Sequence, residues 1–246
     1  FKGDGISQQN KMISLNAKVI EAKQETPDVK SLKLDLEGQS FDYLPGQFLY
    51  LSLDTKDVGS DSRPLSIASS PTEDFILVST KISDSGFKQR FNNVKAGDFA
   101  TVKGPIGTFI LKEDAKEIVM LGGGIGITPF RDIIKYACDK KLPIKMTLLY
   151  SNKTPADIVY KGEWAVFERE NPNLTVVHTI TEYSGADWKG RRGRIDENMI
   201  REYCNDLQNT PFYICGPPGM VNAMLELLIN IGVPGPNVKV ERFVGY

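Results

Sequence analysis

The chain changes rhythm near its middle, and that change restricts the fold more than any single motif. From Met12 to about Leu111 the apolar segments are short and strand-like: LNAKVIEA, SLKLDL with Leu32, Leu34 and Leu36 alternating, QFLYLSL, RPLSIAS, FILVSTKI and DFATVKG. Pro45-Gly46, Gly97-Asp98 and Gly104-Pro105 punctuate them, and SGFKQRFNN is a helix-like break. Six strands at this spacing predict a closed antiparallel β-barrel, since closure removes exposed sheet edges. After the polar connector Lys112 to Lys116 the pattern becomes strand, loop, helix: EIVML before FRDIIKYACDKK, IKMTLLY before GEWAVFERE, LTVVHTI before DENMIREYC, PFYIC before GMVNAMLELLINIG, and VKVERF at the close. Five such strands predict a doubly wound parallel α/β sheet, which binds ligands beyond the carboxyl ends of its strands. The expected organisation is a lead-in at 1–10, a barrel domain at 11–113 and an α/β domain at 117–246.

Composition removes several function classes. Thirty Lys plus Arg against 31 Asp plus Glu leave a net charge of -1, which gives no reason to expect nucleic acid or an anionic membrane as the main partner. No apolar run approaches the ~20 residues that span a bilayer. The three cysteines, Cys138, Cys204 and Cys215, match neither paired zinc ligands nor a plant-type iron–sulfur spacing, so no metal site is expected. Their odd, sparse number points to free thiols in a reducing compartment, the cytoplasm. The one histidine, His178, lies inside LTVVHTI and reads as a half-buried strand residue, which argues against a Ser-His-Asp mechanism. The chain starts at Phe1 rather than Met and reads as a processed form or as part of something longer.

The motifs that carry chemistry lie at the expected strand ends. In LGGGIGITPF, Gly123, Gly124 and Gly126 with Ile127 follow a strand and precede a helix, where a backbone without side chains can approach a pyrophosphate. Thr128 is placed to cap that helix and Pro129 to occupy its first turn. The acid that would hold the ribose of NAD is absent from the end of the next strand, where Ser151, Asn152 and Lys153 stand. In GRRGRI, Arg191, Arg192 and Arg194 form a basic loop suited to a 2'-phosphate, which favours NADPH over NADH; a solvated basic loop is the competing reading. In DSRPLSIASSP, Arg63 could hold a phosphate and Ser66 could reach a flavin ring nitrogen. Gly86 opens a helix whose amino end, helped by Lys88, favours an anion. Taken singly, Arg-Pro is also a common strand edge and Gly86 a simple turn.

Taken in order, RPLS, GFKQ, GPIG, GGGIGITP, ICGPPGM and the closing Glu241 to Phe243 resemble the ferredoxin–NADP reductase superfamily from about Met12 to Phe243. The resemblance implies a flavin held by Arg63, Pro64, Leu65 and Ser66, with Arg63 on the phosphate and Ser66 near N5. It implies Val78, Ser79, Thr80 and Lys81 along the flavin or its ribityl chain, and Gly86, Phe87 and Lys88 around the pyrophosphate. Thr128 would face both nucleotides, and Phe243 or the tail to Tyr246 would cover the ring. Cys215 would lie beside the nicotinamide, with Gly216, Pro217 and Met220 shaping its pocket and Glu241 approaching the same place. Ser66, Cys215 and Glu241 are thus the candidate catalytic residues. Leu65 stands where many relatives carry an aromatic residue, and Gln89 where a Ser or Thr is common, which leaves FMN as the alternative to FAD.

The function this implies is transfer of a hydride from NAD(P)H to FAD and of electrons on to a protein acceptor such as a ferredoxin or an oxygenase component. Two other readings stay open: a flavin reductase that releases reduced flavin, and a non-catalytic module that senses nucleotide.

Overall fold

The computed structural model describes residues 12–53 and 62–243. Its first half holds β1 (Ile13–Thr26), β2 (Val29–Asp35), β3 (Phe48–Ser52), β4 (Ser62–Ser66), β5 (Ile76–Lys81), helix α1 (Gly86–Asn93) and β6 (Phe99–Ile106). All the strands pair antiparallel in the order β4-β3-β6-β1-β2-β5. The two end strands meet where the Ala68 N–H donates to the Leu77 carbonyl at 2.8 Å, so the barrel closes by a bond just past β4 and not by a full ladder. Pro64 lies on β4, an edge strand, where its missing N–H costs no ladder bond. Alternation does the rest: Ile76 and Val78 fill the barrel with Leu32, Leu34, Leu49 and Leu51, while Leu77 faces the second half.

The second half comprises β7 (Glu117–Gly123), α2 (Thr128–Asp139), β8 (Lys145–Asn152), α3 (Lys161–Glu170), β9 (Leu174–Ile180), β10 (Arg191–Arg192), α4 (Glu197–Tyr203), β11 (Phe212–Gly216), α5 (Pro218–Asn230) and β12 (Val238–Arg242). The sheet is parallel with the order β10-β9-β8-β7-β11-β12. It has six strands, not the expected five: Arg191 and Arg192 pair with Thr179 and Ile180 and add a short edge. Two residues carry no periodicity, so this strand could not be seen in the sequence. The connection reverses between β7 and β11, and the switch point lies at Gly122-Gly123 and Cys215-Gly216.

The sheet has two different faces. Met120, Leu148, Tyr213 and Cys215 share a core with α2, α3 and the barrel residues Val29, Ala68 and Leu77, whereas Leu121, Leu149, Phe212 and Ile214 pack under α4 and α5. Phe109, just after the barrel, lies edge-on to Tyr213 with centroids 5.4 Å apart and tilted against Phe130 at 5.9 Å. Barrel and sheet therefore share one apolar seam, and Cys215 points toward it.

Candidate active site

The seam ends in a cluster of three side chains from both halves. Cys215 pairs in register with Glu241 on β12, which turns both toward the barrel face, and Ser66 ends β4 opposite them. Cys215 is fully buried, and burial with the neighbouring Glu241 carboxyl pushes its thiol well above the usual range. It is therefore a neutral lining group and not a thiolate nucleophile. Glu241 is raised to about 7 by burial, while the Ser66 hydroxyl pulls it back. Ser66 Oγ and Glu241 Oε2 are both buried and complete no hydrogen bond among the described residues, so the two groups feel each other without being well aligned. Buried polar atoms are rarely left so, and here the two face each other where the halves meet.

The glycine loop closes the other wall. A Cβ on Gly126 would lie 2.5 Å from the Cys215 carbonyl oxygen and from Gly216 Cα, so only glycine lets the loop rest on β11. Met220 places its sulfur where a side chain on Gly123 would stand, with Pro217 beside it. Gly124 has φ +51. Thr128 does not cap α2: a 3-10 turn over Gly124–Ile127 runs straight into the helix, and the Thr128 hydroxyl donates to the Ile125 carbonyl at 3.2 Å. Pro129 is in the first turn as expected. The Phe243 N–H donates to the Gly216 carbonyl at 3.3 Å, and its ring packs on the sheet core. Tyr246 lies outside the described residues.

Along the barrel, Arg63 stacks over the Phe87 ring at 5.8 Å and so stands beside the amino end of α1. Phe87 is the helix's anchor in the barrel core, and Lys88 is close enough to Lys81 that burial and this like charge both lower its pKa. Lys81 itself pairs with Asp28 at 2.7 Å. Leu65 and Val78 belong to the barrel core, and Thr80 is buried. The Ser79 hydroxyl is engaged at the interface by Ser31 and by Tyr160 Oη, each at 2.6 Å.

The basic residues expected to meet a 2'-phosphate stand around the loop after β9, where three of them are engaged within the protein. Arg191 turns to Glu202 and the Tyr203 ring. Arg192 donates to the carbonyls of Tyr183 at 2.5 Å and Gly185 at 2.6 Å, so it folds its own loop. Lys153 pairs with Glu182 at 3.2 Å. Asn152 is buried with both amide atoms unpaired, and Ser151 is half-buried. Arg194 is exposed.

Comparison with known proteins decides the class. The oxidoreductase FAD-binding domain family matches residues 16–110, and the oxidoreductase NAD-binding domain family matches 120–226. The chain belongs to the ferredoxin–NADP reductase superfamily. It is 33% identical over 161 residues to one component of the Na(+)-translocating NADH-quinone reductase of Methylococcus capsulatus, a match covering 62% of this chain and 39% of that protein. The chain thus spans about two fifths of the length of that relative. Among solved structures, a ferredoxin reductase in carbazole 1,9a-dioxygenase superposes with a TM-score of 0.80 at 26% identity, covering 94% of this chain and 70% of that one. A ferredoxin NADP+ reductase from Neisseria gonorrhoeae with bound FAD and NADP shares the fold, with a TM-score of 0.80 at 22% identity, covering 93% and 98%.

The residues present fit an FAD: buried polar atoms of Ser66 and Glu241 without a hydrogen bond among the described residues would meet its ring, and Arg63 beside the amino end of α1 would meet its phosphates. The motifs of the sequence do not reveal the latch between the halves. Arg131 on α2 is buried, binds Glu73 at 2.9 Å and Glu163 at 2.7 Å, and donates to the Ala68 carbonyl at 2.8 Å. Asp132 accepts from the Gly46 N–H at 2.6 Å, and burial pushes its carboxyl well above the usual range. Gly46 itself has φ +99, and a Cβ there would lie 2.0 Å from the Phe109 carbonyl oxygen. A usable signal existed: adjacent charges in TPFRDII interrupt an otherwise apolar helix start.

No helix among the described residues is long and apolar enough to cross a membrane.

Proposed function

We propose that the chain takes a hydride from NAD(P)H onto FAD and passes electrons to a protein acceptor. The convergence of Ser66, Cys215 and Glu241 from two sheets, with Ser66 Oγ and Glu241 Oε2 buried and unpartnered, carries this reading. We assign residues 11–113 to the flavin and 117–246 to the dinucleotide, with Arg63, Pro64, Leu65 and Ser66 beside the ring and first phosphate. Thr80, Lys81, Gly86, Phe87 and Lys88 continue along the flavin's tail. The glycine loop, Thr128, Gly216, Pro217 and Met220 hold the dinucleotide, and Phe243 borders the ring.

Bound FAD would supply the exchange between two-electron and one-electron chemistry. The chain's own residues orient and exclude water, which is most of what hydride transfer asks of a protein. Cys215, small and uncharged, lines the junction without displacing either ring. Glu241 can hold or release a proton at Oε2 near neutral pH, and the Ser66 hydroxyl is the adjacent group able to relay its influence.

The relatives named as a ferredoxin reductase and as a component of a quinone reductase support a redox protein or complex as the acceptor. Three free thiols support a reducing, cytoplasmic setting. The test is direct. Purified protein should carry yellow FAD and oxidise NADH or NADPH with an artificial acceptor. Protein that takes up no flavin and oxidises neither coenzyme would contradict the reading, and reduced flavin lost on gel filtration would favour a flavin reductase.

A further inference from the structure

We infer that Arg131 is a positioning residue for hydride transfer: it fixes the end of β4 that carries Ser66 relative to the glycine loop that rests on Cys215. This rests on Ser66, Cys215 and Glu241 being the junction. Arg131 stands on α2, five residues beyond Gly126. The glycine loop runs straight from Gly126 into that helix, and Gly126 lies so close to the Cys215 carbonyl that no Cβ fits. Whatever Arg131 holds is therefore held at a set distance from β11.

What it holds is the chain that leaves β4. Its Nη1 donates to the Ala68 carbonyl at 2.8 Å, two residues past Ser66, and to Glu73 Oε2 at 2.9 Å. Nη2 donates to Glu73 Oε1 at 3.2 Å, so the guanidinium meets both oxygens of that carboxylate. Glu73 in turn accepts from the Ser70 N–H at 2.8 Å, and the Ala68 N–H closes the barrel on Leu77. The segment from Ser66 to Glu73 thus turns around one guanidinium, which Nε fastens to Glu163 on α3 at 2.9 Å. Planar, forked donors fix direction as well as distance, which the point charge of a lysine does not.

Stability does not account for this arrangement. The side chains of Arg131 and Glu73 are 6% and 12% exposed, and a buried ion pair returns little more than the desolvation it costs. The halves have other attachments: Asp132 to Gly46 before β3, Tyr160 to Ser79 on β5, and Tyr213 to Phe109 after β6. Arg131 acts instead on the segment that continues from Ser66. Its removal leaves the halves joined and lets the Ser66 end shift, and a misplacement of about 1 Å can slow a reaction up to ~10²-fold.

The test mixes flavin-loaded Arg131→Ala, Arg131→Lys and Glu73→Gln anaerobically with NADH or NADPH, and follows the flavin-free proteins by amide hydrogen exchange. FAD content and half-saturating coenzyme should stay within about twofold of wild type, while bleaching slows by about 10- to 100-fold in Arg131→Ala and by less in the other two. The long-wavelength absorbance of stacked nicotinamide and flavin should weaken in the same order. Without flavin, the amides of Ala68 to Ser70 should exchange faster in Arg131→Ala, while those of β1 and β6 keep the wild-type rate. Arg131 lines an open cavity of about 320 Å³, so millimolar guanidinium chloride, unlike sodium chloride, should restore part of the Arg131→Ala rate. Bleaching at the wild-type rate in Arg131→Ala, or slowing matched by loss of FAD, would overturn the inference. Should that variant not fold, wild-type bleaching in Arg131→Lys and Glu73→Gln would do so. Wild type that neither coenzyme bleaches would overturn the reading of the junction, and this assignment with it.

Discussion

The junction of the two halves and the rim at the ends of β8 and β9 are built on opposite principles. At the junction, Ser66, Cys215 and Glu241 are covered, two polar atoms are left without partners, and the Glu241 carboxyl is displaced to about 7. At the rim, Lys153, Glu182, Arg191 and Arg192 are accessible and each of these charges has a partner. Unsatisfied groups are costly and are kept only where something else supports them, whereas exposed pairs stabilise little. The junction thus carries a cost that the rim does not. The latch at Arg131 and Asp132 differs from both, being buried and bonded, and it sets how the halves meet.

Gly126 is the position where the site tolerates change least. Gly126→Ala puts a Cβ against backbone that cannot move cheaply, and should cost about 3 kcal/mol by overpacking. For a chain of this size that is a fall in Tm of roughly 6–12 °C, with weakened NADH binding, readable by calorimetry. If Gly126→Ala melts with the wild type, the tight loop-to-strand contact is not what closes the cleft.

Asp132 sharpens the distinction between latch and junction. Asp132→Ala leaves the Gly46 N–H without its partner and should destabilise by about 1–3 kcal/mol. Asp132→Asn keeps an acceptor in a site that already disfavours charge and should stay within about 1 kcal/mol of wild type in urea unfolding. Equal losses in the two variants would mean that the ionised carboxylate matters.

Glu241 makes a pH-dependent prediction. Its pKa in the folded protein lies above that of an ordinary carboxylate, so the folded state binds the proton more tightly. Its contribution to stability is complete below the usual carboxylate range and is lost as pH rises through about 7. Wild type should lose Tm relative to Glu241→Gln across that window, and its kcat should carry a limb near pH 7 that Glu241→Gln lacks. Matching profiles would remove Glu241 from the junction.

The smallest effect belongs to the rim. Lys153→Ala should change stability by less than about 0.5 kcal/mol, and that difference should shrink in salt.

Much of the fold was legible in the sequence because its period changes from short alternating strands to strand-loop-helix units, and both patterns follow from which faces are buried. The two-residue strand at Arg191–Arg192 was not, since it is held only by its neighbour's ladder. The start of α2 departs from the expected threonine cap because a turn of 3-10 helix feeds the helix and leaves Thr128 nothing to cap. The motifs single out Ser66, Cys215 and Glu241, and the structure places each at or beside a strand end. Arg131 and Asp132 look solvated in a sequence of mixed charge, and only the packing of the barrel on α2 covers them.

If the two halves meet at Ser66, Cys215 and Glu241 to pass a hydride, the rate of flavin reduction depends on those side chains. Anaerobic stopped-flow mixing of the FAD-loaded protein with NADH, following loss of flavin absorbance, tests it most directly. Ser66→Ala should bind FAD as wild type does and bleach about 10²-fold more slowly, the range for losing one positioned polar group at a reacting centre. Bleaching at the wild-type rate with flavin fully bound would contradict the account.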